Sequence, residues 1–118
     1  MIKTDKLLSI VIEGIARRKG NNAVSLDLSK FENAICDYFV IADAESTTQV
    51  MAIADSVREI LREEAGLKIW SSMGYENAQW ILLDFGDIVV HVFQKPYRDF
   101  YNLEGLWADA PLIEHSLV

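Results

Sequence analysis

Between Trp80 and Phe93 the chain reads WILLDFGDIVVHVF, and this stretch limits the fold more than any other. Gly86-Asp87 suits a two-residue hairpin turn with glycine first, because the primed turn needs a positive φ at that position. The turn sets the register: Phe85 opposite Ile88, Asp84 opposite Val89, Leu83 opposite Val90, Leu82 opposite His91, Ile81 opposite Val92 and Trp80 opposite Phe93. Side chains alternate between faces, so a slip of one residue would invert every one of them. One face is then Ile81, Leu83, Phe85, Ile88, Val90 and Val92, wholly apolar and suited to lie against long helices. The other is Trp80, Leu82, Asp84, Val89, His91 and Phe93, which a solvated face does not normally choose. Two readings fit it. A following aromatic helix can cover it with Tyr97, Phe100, Tyr101 and Trp107, or it can stay open as a docking surface of the kind that tryptophan and tyrosine anchor. The expected compromise is partial cover, with Trp80, Leu82 and His91 left accessible.

The remaining elements assemble around that hairpin. Leu7, Leu8, Val11, Ile12 and Ile15 recur at the spacing of one helical stripe, and Arg17, Arg18 and Lys19 suit the negative end of its dipole before Gly20 stops it. Ala23 to Leu28 alternates as a half-buried strand, and Tyr38 to Ala42 is a short, continuously apolar one. Ser46-Thr47-Thr48-Gln49 has the form of a capping box: Ser46 accepts from the Gln49 amide while the Gln49 side chain reaches back. The helix it opens buries Val50, Ile53, Ala54, Val57, Leu61 and Ala65 and ends at Gly66. Leu67 to Ser71 reads as a strand, 72–78 as a loop, and Tyr97 to about Leu106 as a helix. This order predicts an α/β fold, a single mixed five-stranded sheet packed with helices. Residues 1–111 form one domain, and Pro111 leads into a mobile tail, 112–118.

Composition narrows the function. The net charge is −7, and cations outnumber acids only before Phe31. An acidic body repels phosphate backbones, so no direct nucleic-acid binding is expected, and a basic protein surface would attract it. Cys36 is the single cysteine, so it can form no intrachain disulfide, and beside Ile35 it reads as buried and inert. The apolar patch near the amino terminus is interrupted by Asp5, Ser9, Glu13 and Gly14, unlike a signal peptide. No apolar run approaches the roughly 20 residues of a membrane span. A cytoplasmic protein is expected, or an organellar one if a longer precursor is trimmed.

Chemical readings are sparse. Asp43 and Glu45 follow a strand and could point two carboxylates the same way, as a magnesium-dependent nucleotidyltransferase requires, but no upstream Gly-Ser occurs to grip phosphates. Asp84-Phe85-Gly86 matches the kinase metal-binding triplet, yet the chain lacks a glycine-rich phosphate loop and a catalytic loop. His91 and His115 have no zinc-ligand spacing with Cys36. No cofactor, metal or catalytic residue is expected.

DYFVIADAESTTQVMAIADSV, followed by WILLDFGDIVVHVFQKPYRDFYNLEGLWADAP, resembles the Iojap-like ribosomal silencing factors. The most specific part is Trp80, Leu82, Leu83, Asp84, Gly86, Asp87, Val90, His91 and Phe93, then Arg98, Tyr101, Leu103, Leu106 and Trp107. The chain departs from the pattern at Asn77, where the family has a glycine after glutamate, and at Thr48, often basic. The resemblance implies a nucleotidyltransferase-like outline without that activity. It implies a factor that binds protein fourteen of the large ribosomal subunit, blocks joining of the small subunit and represses translation when nutrients are scarce. It also implies a homodimer when free. The expected contact residues are Trp80, Leu82, Asp84, His91, Phe93, Arg98, Tyr101, Glu104, Trp107 and Asp109, with Asp84, Glu104 and Asp109 facing cations of the partner.

Overall fold

Apolar residues at helical spacing give two long helices, α1 (Thr4–Arg17) and α2 (Thr47–Ala65). The computed structural model describes residues 3–117; Met1 and Ile2, assigned above to the domain, and Val118, assigned to the tail, lie outside the described residues. Helix α1 buries Leu7, Ile10, Val11, Gly14 and Ile15. Leu8 and Ile12 of the expected stripe are only partly covered, because the buried face turns toward Gly14, whose carbonyl accepts a 2.8 Å hydrogen bond from Ser56 of α2. The left-handed residue that ends α1 is Lys19 (φ 57), one before the expected Gly20.

Ser46 caps α2 as expected, its Oγ accepting from the Gln49 amide at 3.1 Å. The reciprocal half of the capping box does not form. Gln49 Nε2 donates instead to the carbonyls of Arg18 and Lys19 at 3.3 and 3.0 Å, which ties the end of α1 to the start of α2. Ser46→Ala should therefore cost about 1 kcal/mol of stability, the usual value of a side-chain cap. Urea denaturation reads it; an unchanged midpoint would mean that water serves the amide equally well.

Six strands form one sheet: β1 (Asn21–Asp27), β2 (Tyr38–Ala44), β3 (Ser71–Met73), β4 (Trp80–Asp84), β5 (Ile88–Gln94) and β6 (Leu112–Glu114). Their order is β3-β4-β5-β2-β1-β6; β2 and β5 pair in parallel and the other neighbours antiparallel. The expected mixed α/β class holds, with six strands where five were expected. The added strand is β6. Residues 112–114, expected to be mobile, pair with β1 from Val24 to Leu26, and His115 Nε2 lies 2.9 Å from Ser25 Oγ. An unpaired β1 would present a row of bare backbone groups, and the tail supplies their partners. The strand expected at Leu67–Ser71 begins only at Ser71; Leu67 and Ile69 do turn inward, but as a connection packed against the core.

The hairpin has the expected register, Trp80 facing Phe93 through Asp84 facing Val89. Gly86 takes φ 91, and its amide donates to Asp84 Oδ1 at 2.9 Å. Gly74 (φ 94) is needed too, because a Cβ there would run into the Trp80 carbonyl oxygen. The expected single helix after β5 is two: α3 (Lys95–Tyr101) and α4 (Leu103–Leu106). Asn102, at φ 47, breaks them and caps α4 by accepting from the Gly105 amide.

The sheet separates two apolar layers. Ile81, Leu83, Phe85, Ile88, Val90 and Val92 pack with α1 and α2, as the alternation requires. Phe39, Ile41, Val89 and Phe93 face the other way, toward Leu103 of α4 and partly buried Trp80, Leu82, Tyr97 and Trp107. This second layer carries the candidate site.

Candidate functional site

Strands β4 and β5 deliver the mixed face, and α3 covers half of it. Phe93 (0% exposed) and His91 (3%) lie under cover, whereas Trp80 and Leu82 on β4 stay half-exposed. The expectation that His91 would be accessible is therefore corrected. It sits on the central strand, between Ile41 and Leu82 in register, with Phe39 packed edge-on at 4.5 Å. Phe93 is likewise a floor residue and touches no solvent.

The indole of Trp80 stacks on Phe93 with centroids 4.9 Å apart and leans on Tyr101 at 4.7 Å; Tyr101 in turn meets Phe100 edge-on at 5.2 Å. Tyr101 is 44% exposed and Phe100 is 79% exposed. Opposite Leu82 on β3 lies Met73, 65% exposed on the same sheet face. The result is an apolar platform of Met73, Leu82, Trp80, Tyr101 and Phe100 at one flank of the sheet. Met73 and Phe100 were not among the expected contacts. Met73 reads as loop because β3 begins four residues later than its alternation suggests, and Phe100 reads as cover until α3 is seen to turn it outward.

Trp107 shares this layer but is half-buried against Phe31 at 5.7 Å and Phe39 at 6.1 Å. Asp109 is exposed and makes no ion pair among the described residues. Asp84 is half-buried and spends one oxygen on the Gly86 amide.

Arg98 is the largest correction. Expected at the contact surface, it is 7% exposed and points inward from α3. Its Nη1 donates to Asp43 Oδ2 at 2.9 Å and to the Asn22 carbonyl at 2.6 Å, and its Nη2 donates to Glu104 at 3.0 Å. One guanidinium thus pins α3 and α4 to β1 and β2, the fork geometry allowing several bonds at once. Glu104, expected to meet a cation of a partner, already has one.

The same bond answers the carboxylate reading. Asp43 is buried at the end of β2 with its charge matched by Arg98, while Glu45 is exposed beyond the strand. Among the described residues, no group of three His, Cys, Asp or Glu side chains is placed to hold a metal. Cys36 is buried as expected, and burial pushes its thiol up to about 11, far from a nucleophile at neutral pH. His91 accepts from the Trp80 indole N–H, Nε1 to Nδ1, at 3.1 Å, and burial alone brings its pKa down to about 4. An imidazole so placed is no base for external chemistry. No helix among the described residues is long and apolar enough to cross a membrane.

Known proteins share both the sequence and this geometry. The profile described as "ribosomal silencing factor during starvation" matches residues 2–118. The ribosomal silencing factor RsfS of Halalkalibacterium halodurans is 40% identical over 113 residues, covering 96% of this chain and 95% of that protein. The chloroplastic protein Iojap of Arabidopsis thaliana is 42% identical over 77 residues, 65% of this chain and 32% of that longer protein. A crystal structure of a protein from Chromobacterium violaceum superposes with a TM-score of 0.86 at 36% identity, covering 91% of this chain and 88% of that one. Fold and sequence agree across nearly the whole length, and the chain belongs to the ribosomal silencing factor family.

Proposed function

We propose that this silencing factor acts by occupancy. It docks on protein fourteen of the large ribosomal subunit, obstructs the approach of the small subunit and so represses translation under nutrient limitation. The observation that carries this reading is the uncovered platform of Met73, Leu82, Trp80, Tyr101 and Phe100, aromatic anchors at the flank of a rigid sheet. Blocking a surface needs no chemical step, which suits a site without an activated nucleophile or base. Asp109 and the free oxygen of Asp84 stand near the carboxyl-terminal segment and the hairpin tip as acidic groups for a basic ribosomal protein, where pairs guide encounter more than they deepen affinity. Trp107 is a further candidate contact at the rim. His91, Phe93, Arg98 and Glu104 support the platform from inside. The factor is proposed to work in the cytoplasm, with neither nucleic acid nor membrane as its direct partner. Free of the ribosome, it is proposed to form a homodimer, which would cover exposed apolar area.

Trp80→Ala tests this. Loss of a buried aromatic anchor costs about 2 kcal/mol or more, roughly thirtyfold in affinity. Cosedimentation with purified large subunits should show that weakening while the variant remains folded. Undiminished binding would remove the platform from the contact.

A further inference from the structure

We infer that His91 is a positioning residue for the docking tryptophan: its imidazole holds the Trp80 indole in one orientation, so that Trp80 offers a partner its ring and not its N–H. This inference rests on the docking reading above and specifies the chemistry of that site.

Three observations carry it. The first is register. His91 faces Leu82 across the hairpin, and Trp80 faces Phe93, so His91 and Trp80 are diagonal neighbours on one sheet face. Diagonal neighbours lie within reach of aromatic side chains. The second is the bond itself. Nε1 of the indole donates to Nδ1 of the imidazole at 3.1 Å, while the indole lies over Phe93 at 25° between ring planes. A stack alone permits the indole to slide or flip; a hydrogen bond from one ring edge does not. The third is the other nitrogen. For Nδ1 to accept, the neutral ring must carry its proton on Nε2. Nε2 is fully buried and has no hydrogen-bond partner among the described residues. A donor left unpaired in an apolar layer is destabilising. Burial stability alone would favour a purely apolar side chain at this position. What the imidazole supplies in return is the acceptor beneath Trp80.

Two consequences follow for the partner. Trp80 is ordered before docking, so less side-chain freedom is lost on binding. Its one polar group is already satisfied, so the complementary socket needs apolar walls and no acceptor for the indole.

Two substitutions separate positioning from packing. His91→Phe keeps an aromatic ring of similar size and removes the acceptor. His91→Asn places an amide oxygen near the Nδ1 position, so it restores the acceptor while its NH2 keeps N–H donors in the buried layer. In the full chain, the Trp80 indole N–H resonance is identified by its loss in Trp80→Phe, and its hydrogen exchange is then measured. Exchange should speed at least tenfold in His91→Phe and return toward the wild-type rate in His91→Asn. Affinity for large subunits should fall about fivefold in His91→Phe and recover in His91→Asn, with the thermal midpoint of His91→Phe no lower than wild type. Unaltered indole exchange in His91→Phe overturns the inference, whatever the affinities. So does a failure of His91→Asn to restore the slower exchange while it stays folded. Should wild type itself fail to bind the subunit, the docking reading falls, and with it the partner chemistry, but the exchange data still decide whether His91 holds Trp80.

Discussion

Arg98→Met should destabilise the protein by about 3–5 kcal/mol, the range for removing one partner of a buried ion pair. Asp43 is 1% exposed, and Arg98 supplies its short charged contact. Without the guanidinium, its carboxylate would sit at the end of a central strand with only the long 3.4 Å contact from the Asn22 amide. The Asn22 carbonyl loses its donor as well, and Glu104 is released to solvent. The pair need not be worth that much by itself. Asp43→Leu combined with Arg98→Met should recover most of the loss, because a well-packed apolar pair often replaces a buried ion pair at little net cost. Urea denaturation of the two single variants and the double variant gives the coupling. A loss below about 1 kcal/mol in Arg98→Met would show that water reaches Asp43 easily and that the clamp is not what holds α3. Because Phe100 and Tyr101 ride on α3, the single variant should also weaken docking, and the double variant should restore it in proportion to how well α3 is re-seated.

This clamp is illegible in the sequence for a physical reason. Arg98 lies in KPYRDFY, a cation among aromatics, and local pattern makes it look outward. Its partner is Asp43, which local pattern offers, with Glu45, to a metal. The pairing joins residues 55 apart in the chain, and no periodicity of either segment encodes it. The tail shows the same limit. Leu112 and Ile113 are exposed, so no burial pattern announces β6; its pairing with β1 is made by backbone groups, which every residue carries. The hairpin is the opposite case. Gly86 fixes the turn, alternation fixes both faces, and each constraint would conflict with any other register. Of the contact surface, Trp80 and Leu82 could be read from that alternation. The sinking of His91 could not, since Phe39, from a strand distant in the chain, packs against its ring.

Acidification should remove about 2–3 kcal/mol of stability between pH 7.5 and pH 4.5 through His91 alone, since a tenfold difference in proton affinity between the folded and unfolded chain is worth about 1.4 kcal/mol. In the folded chain burial lowers the His91 pKa from 6.5 to about 4, and no charged neighbour contributes. The unfolded chain therefore takes up the proton more readily than the folded one. The contribution is fully present above pH 6.5, shrinks as the pH falls through the window toward 4, and is gone below it. His115, also lowered by burial, adds in the same direction. Asp27, held down first by its hydrogen bonds with Ser29, loses its contribution only as the pH falls below the ordinary carboxylate range of about 4. His91→Asn isolates the main effect, because an amide does not titrate. Urea midpoints for that variant should change far less over the same interval, with His115 contributing to the residual slope. A variant that lost stability as steeply as wild type would place the titration elsewhere. Protonation also converts Nδ1 from acceptor to donor, which breaks its bond with the Trp80 indole. Release of the indole should therefore lag the loss of stability: the urea midpoint falls between about pH 6.5 and 4, whereas Trp80 fluorescence of the folded chain should change only as the pH falls through about 4.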